Sequence, residues 1–287
     1  MVTIRRVDTV DRFVATAGAF LVAREAEHNL LLGICSGLQA LAEGDTPTDD
    51  PTPDFLVASS DDRIVLAAVR TPPYNLVLSE VDQEDAVEAL ADELTGDDLP
   101  GILGPAEHAG AFAIRWCAAN GRTPRLAMSE RIFRLAAVRH PSLPPGRVRH
   151  AVPADRALVL AWYEAFGREA LPDAPWADVG AQVDRRLTEG VIFLWDRDGA
   201  VSMAAVGSHT PNGSRVGPVY TPPEHRRQGY ASACVAAVSQ AQLDAGRRFV
   251  FLFTDLANPT ANHIYQEIGY EPVRDVTVWR FEEPSAG

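Results

Sequence analysis

The chain has 287 residues, enough for two domains that each bury a core. Its 46% apolar and 23% charged content is that of a globular protein, and a net charge of −13 argues against a protein that binds nucleic acid by neutralising phosphates. No apolar run approaches the length of a membrane-spanning helix and no signal-peptide pattern opens the chain, while Cys35, Cys117 and Cys234 are too few and too scattered for a disulfide framework or a zinc site, so a cytoplasmic protein without metal is expected.

In chain order, a helical, partly amphipathic stretch over 10–41 comes first. The Asp-, Thr- and Pro-rich loop Gly44-Asp-Thr-Pro-Thr-Asp-Asp-Pro-Thr-Pro-Asp54 follows and reads as solvated. Residues 55–69 are a strand, an Asp-bearing turn and a strand ending Ala-Ala-Val, the pattern of a β-hairpin. The short strand Asn75-Leu-Val-Leu-Ser79 leads into the acidic Glu80-Val-Asp-Gln-Glu-Asp-Ala-Val-Glu88. A helix over 113–120 closed by Gly121, then paired strand-like runs, completes this half. His140-Pro-Ser-Leu-Pro-Pro-Gly146 continues neither a helix nor a central strand. The expected division is therefore an N-terminal domain over 1–140, a Pro-rich linker over 141–147 and a second domain over 148–287.

The second half repeats the order. Helical segments span 154–189, and residues 193–206 form another strand, Asp-bearing turn and strand ending Ala-Ala-Val. A strand over 216–221 leads into Val219-Tyr-Thr-Pro-Pro-Glu-His-Arg-Arg-Gln-Gly-Tyr-Ala231, and a helix is expected from Ser232 to about Ala245. Next come a buried strand over 247–253, a helix with Asn258 as its N-cap, Pro259 at its first position and Gly269 as its C-cap, and a final hairpin. Each half thus reads as helices, hairpin, strand, helix, strand, helix, hairpin: two tandem α/β domains around mixed, mostly antiparallel sheets.

The halves differ where they would carry chemistry. A strand, an Arg- and Gly-bearing turn and a helix start make a phosphate cradle, because the first amides of a helix lack partners, its dipole favours an anion and glycine lets the backbone approach. Arg226 and Arg227 add guanidinium donors. In the first half, carboxylates from Glu80 to Glu88 stand at the matching place and would repel a pyrophosphate. Residues 1–140 hold 12 Arg against 22 acidic residues, and 141–287 hold 14 against 17, so an anionic ligand is expected on the second half. The acidic first half would in turn favour a cationic acceptor.

The spacing Arg226, Gly229, Ala231 resembles motif A of the GCN5-related N-acetyltransferases, Arg/Gln-x-x-Gly-x-Gly/Ala. About 27 residues later, Asn258-Pro-Thr-Ala-Asn-His-Ile-Tyr-Gln-Glu-Ile-Gly-Tyr270 resembles the family's second motif. The resemblance is strong over 190–281, weaker over 147–189, and rests on the internal echo alone in the first half, which is similar to the degenerate N-terminal copy of tandem members.

The resemblance implies an acetyl-CoA-dependent N-acetyltransferase that moves the acetyl group to a primary amine, with acetyl-CoA as co-substrate and no metal. It implies that Val219, Tyr220 and Thr221 bond the pantetheine arm and thioester. Arg226, Arg227, Gln228, Gly229, Tyr230 and Ala231 would cradle the pyrophosphate, and Asn258, Ala261 and Asn262 would line the same cleft. Tyr265 would protonate the leaving thiolate. The general base is open among Glu164, Glu169, His209 and Asp255, with Asp255 ranked first for its place at the end of the strand before Asn258. Another acyl group, a thiol or hydroxyl acceptor, or a CoA-binding sensor without catalysis are the alternatives. A monomer or a homodimer is expected.

Overall fold

The structure is a computed structural model that describes residues 1–42, 52–140, 142–173 and 178–284. Most of the expected solvated loop, 44–51, and Pro141 of the expected linker lie outside the described residues. The chain forms two compact units, Met1–Ile132 with Val273–Gly287, and Phe133–Pro272.

The first unit begins with β1 (Thr3–Val7), α1 (Val10–Ala23) and α2 (Asn29–Ala42). There follow β2 (Asp54–Ser60), β3 (Arg63–Arg70), β4 (Leu76–Leu78), α3 (Asp85–Glu93), β5 (Gly101–Pro105) and α4 (Ala106–Asn120). β6 (Thr123–Leu135) runs across the unit boundary, and most of the last strand, numbered β12 (Glu271–Glu282), belongs to this unit. The strand order is β1-β2-β3-β4-β5-β12-β6. β4 and β5 pair in parallel, whereas β1/β2, β2/β3, β3/β4 and β12/β5 are antiparallel.

Side chains alternate across a strand, and here both faces are buried. On β2, Phe55 and Val57 join Phe13, Leu21 and Leu31 of α1 and α2. Leu56 and Ala58 join Leu90, Phe112 and Trp116 of α3 and α4 on the other face.

The second unit holds β7 (Arg147–His150), α5 (Arg156–Ala170), α6 (Val179–Thr188), β8 (Ile192–Asp196), β9 (Ala200–His209), β10 (Gly213–Tyr220), α7 (Tyr230–Asp244), β11 (Phe249–Asp255) and α8 (Pro259–Ile268). Its order is β11-β10-β9-β8-β7, with β10/β11 parallel and the other pairs antiparallel. Ala204 and Val206 of β9 pack toward Tyr230, Cys234 and Val238 of α7, while Met203 and Ala205 pack toward Val159, Tyr163 and Val183 of α5 and α6. The run hairpin, strand, helix, parallel strand, helix occurs in both units, as the internal echo predicts.

Two expectations are corrected. Each half was expected to end in a hairpin, but a single long strand follows α4 and another follows α8. Neither 123–135 nor 271–282 contains a glycine, and the only proline in each stands at the second residue, so nothing reverses the chain. The grouping also differs from 1–140 and 148–287, because the described residues from Val273 to 284 group with the first unit. Val276–Arg280 fill the place beside β5 in antiparallel register. The Pro-rich segment packs with the second unit, where the Trp195 indole N–H donates to the Pro145 carbonyl at 3.1 Å.

Candidate active site

β10 and β11 pair at only three positions, Gly213 with Phe249, Ser214 with Val250 and Arg215 with Phe251. β10 continues to Tyr220 and β11 to Asp255, so the strands part beyond Arg215. Irregularities in the β9/β10 register on either side of Val216, with Gly217 at φ 154°, turn β10 away from its neighbour. The parting leaves an open edge of backbone donors and acceptors, which an extended ligand can pair with as an added strand.

Past β10, a 3-10 turn over Pro223–His225 leads to α7. Arg227 has φ 60° and Gly229, the N-cap, has φ 79°. An L side chain at the N-cap would be strained in that conformation, which accounts for glycine there. The first bond of the helix runs from Ala233 N–H to the Gly229 carbonyl at 3.0 Å. The amides of Arg227, Gln228, Gly229, Tyr230, Ala231 and Ser232 make no hydrogen bond among the described residues. Left-handed residues beside a helix start turn such amides into an anion-binding concavity.

The two arginines of the motif differ. Arg226 Nε donates to the Thr221 carbonyl at 2.9 Å and Nη2 donates to Glu169 Oε2 at 2.6 Å. Glu169 also accepts from the Tyr220 hydroxyl at 3.2 Å; burial first, and Glu169 second, hold that phenol above its ordinary pKa. Arg227 is exposed and has no carboxylate partner among the described residues. Tyr230 is buried under the cradle, its hydroxyl accepting from Arg197 at 2.6 Å. Thr221 is anchored through its hydroxyl, 2.8 Å from Ser202 Oγ.

Asn258 caps α8 as expected, accepting from Ala261 N–H at 3.0 Å, with Pro259 at the first helical position and Gly269 left-handed at the end. Asn262 Nδ2 donates to the carbonyls of Asp255 at 2.9 Å and Asn258 at 2.8 Å, which leaves its buried Oδ1 without a donor. Tyr265 lies between Phe133, centroids 6.4 Å apart, and Tyr270, at 5.9 Å. Burial pushes its phenol up to about 12, and its hydroxyl makes no hydrogen bond among the described residues.

Asp255 ends β11, where its Oδ1 accepts from Ala257 N–H at 2.8 Å and so fixes the turn into α8. Of the other base candidates, Glu164 is exposed on α5 and Glu169 bridges Tyr220 and Arg226. His209 sits beside Ser214 Oγ at 3.0 Å, and burial lowers its pKa. Sequence reading passed over Arg186 and Tyr163, which meet at 3.0 Å beside Gly217. The available signal was spacing: Arg186 lies three residues past Val183, on the face of α6 that carries Leu187.

The corresponding place in the first unit is closed. Glu80 N–H donates to His28 Nε2 at 2.9 Å, and Asp82 N–H to the Val65 carbonyl at 2.8 Å. At the start of α3, Ala86 and Val87 donate to the Gln83 and Glu84 carbonyls, so those amides are taken. A Cβ at Gly104 would stand 2.7 Å from Leu78 Cβ, so β4 and β5 leave no gap. Cys117, which falls at the position of Tyr265 when Gly121 and Gly269 are aligned, is buried, and desolvation pushes its thiol up to about 11.

A family model described as FR47-like protein matches residues 195–280, the segment holding the cradle and Tyr265. No curated protein matches by sequence. Solved structures match along nearly the whole chain. One is a GCN5-related N-acetyltransferase from Sphaerobacter thermophilus, 16% identical with TM-score 0.60, covering 97% of this chain and 95% of that one. Another is a tandem GNAT protein from the clavulanic acid biosynthesis pathway, 14% identical with TM-score 0.54, covering 99% and 100%.

The chain has the tandem GNAT fold. A Drosophila protein, 13% identical with TM-score 0.71, is similar over 98% of this chain and 99% of its own. Within the GNAT fold, the parted strands, the free helix start and the residues around Tyr265 all lie in the second unit. Among the described residues, no cluster of three His, Cys, Asp or Glu is placed to hold a metal ion, and no helix is long and apolar enough to cross a membrane.

Proposed function

We propose that the second unit is an acetyl-CoA-dependent N-acetyltransferase acting on a primary amine, and that it is the sole acyl-CoA site of the chain. The observation that carries this reading is the parting of β10 and β11 beyond Arg215, next to six amides at the start of α7 that have no partner among the described residues. The fit to acyl-CoA is specific in its parts. The open edge over Val219, Tyr220 and Thr221 suits the two amides of a pantetheine arm. The concavity over 226–231, with Arg227, suits a pyrophosphate, and the orphan Oδ1 of Asn262 suits a donor from the ligand.

Bound acetyl-CoA supplies the activated acyl group. The chain's own groups then orient it and manage protons. A β10 amide near Val219 or Tyr220 donates to the thioester carbonyl, where negative charge grows as the amine attacks. Tyr265 holds the proton for the departing sulfur; a phenol near 12 stays protonated at neutral pH yet can give its proton to a developing thiolate. Asp255 is assigned the amine's proton through Oδ2, which makes no hydrogen bond among the described residues, while Oδ1 keeps its structural bond to Ala257. Asn258 and Ala261 hold the helix that presents Tyr265.

The test is thiol release from acetyl-CoA by the full chain across aminoglycosides, polyamines, amino acids, peptides and aryl amines. Release dependent on an amine supports the reading. Tight acetyl-CoA binding with no release for any class would reject catalysis in favour of a CoA sensor.

A further inference from the structure

Resting on the acyl-transfer reading above, we propose that Arg186 receives a carboxylate of the acceptor. The acceptor is then an amino acid or a similarly short amine-bearing carboxylate. Arg186 projects from α6 onto β10 at the point where that strand has left β11. Its Nη1 donates to the Tyr163 hydroxyl at 3.0 Å and to the Gly217 carbonyl at 3.3 Å, and its guanidinium carbon lies 5.8 Å from the Tyr163 ring centre.

Arg186 combines partial burial with the lack of a carboxylate partner among the described residues. Arg149, Arg156, Arg185 and Arg226 of the same unit each meet a carboxylate. Half-buried Arg186 meets only a phenol, an aromatic face and a carbonyl, and no carboxylate among the described residues. A partly desolvated guanidinium without a counter-charge is costly, and its fork of N–H groups matches a carboxylate in shape. Nε and Nη2 make no hydrogen bond among the described residues and are available for that purpose.

Position narrows the class. Gly217 is two residues before Val219, the start of the stretch assigned to the thioester, and two extended residues span about 7 Å. A carboxylate on Arg186 and an amine at the thioester are therefore a few bonds apart, as in α- to γ-amino acids. The acidic balance of the first half points instead to a cationic acceptor, but a guanidinium beside the reacting carbon repels a second cation at close range.

The experiment compares matched acceptors on the full chain: glycine, alanine and γ-aminobutyrate against glycinamide, alaninamide and butylamine, with acetyl-CoA and thiol release as the readout. The free acids are expected to show kcat/KM on the order of ten- to a hundred-fold above their neutralised partners. Arg186→Gln should remove that ratio by raising KM for the acids, while acetyl-CoA affinity and the melting temperature stay near wild type. Arg186→Lys should retain part of it. Equal rates for acids and amides in the wild type overturn the proposal and leave acyl transfer standing. An unchanged ratio in Arg186→Gln overturns it as well. Absence of release with every acceptor removes the acyl-transfer reading, and the proposal with it.

Discussion

Arg226 Nη2 lies 2.6 Å from Glu169 Oε2, so one of the two motif arginines already has a carboxylate partner. Its Nε is meanwhile bound to the Thr221 carbonyl at the strand end. Arg226 thus shapes the cradle and cancels Glu169, and the uncompensated charge comes from Arg227. On the proposed acyl-CoA reading, replacing Arg226 by Gln unmasks Glu169 beside the site assigned to the pyrophosphate, and acetyl-CoA affinity is predicted to fall on the order of ten-fold. The double variant Arg226→Gln/Glu169→Gln should regain most of that loss. Titration calorimetry reads both, and a double variant weaker than the single one contradicts the account.

Tyr265→Phe keeps the packing against Phe133 and Tyr270 but removes the proton. It is predicted to lower kcat about a hundred-fold with little change in KM for acetyl-CoA. Because burial holds the phenol near 12, the wild type should show no loss of kcat from this group below about pH 10. A variant that turns over at the wild-type rate rules out the acid role.

Asp255→Asn separates the two uses of that side chain. An amide oxygen still accepts from Ala257 N–H, so the turn and the melting temperature are expected to hold. Loss of the carboxylate is predicted to lower kcat/KM about a hundred-fold. A stable variant with full activity moves the base elsewhere.

His28 makes the first unit sensitive to acid. Its Nδ1 donates to the Leu21 carbonyl at 2.9 Å and its Nε2 accepts from Glu80 N–H, so the folded state needs the neutral ring. Burial lowers its pKa to about 4. As pH falls below about 6.5 the unfolded chain takes up the proton first. Stability is therefore full above that value and declines down to about pH 4, by about 3 kcal/mol. Melting temperature against pH for the wild type and His28→Gln checks this; the same slope in both contradicts it.

Much of this was legible in the sequence, for identifiable reasons. Arg226, Gly229 and Ala231 mark the cradle because only glycine sits easily at φ 79°, and Asn258-Pro259 and Gly269 mark α8 because caps have local chemistry. The duplicate hairpins show in Asp-bearing turns at Asp61, Asp62 and Asp198, all with positive φ. The partners of single side chains did not show. Glu169 reaches Arg226 across 57 positions and Arg186 reaches Gly217 across 31, so only the folded sheet brings them together. The place of the last strand in the first unit was hidden for the same reason, since Val276–Arg280 pair with a strand some 175 residues earlier.

The central claim is one acyl-CoA site per chain, built on the second unit. Calorimetric titration of the full chain with acetyl-CoA tests it most directly. The account predicts one site per chain, lost or greatly weakened when Arg227→Gln is combined with Gly229→Val. Two sites per chain, or one site untouched by that change, would contradict it.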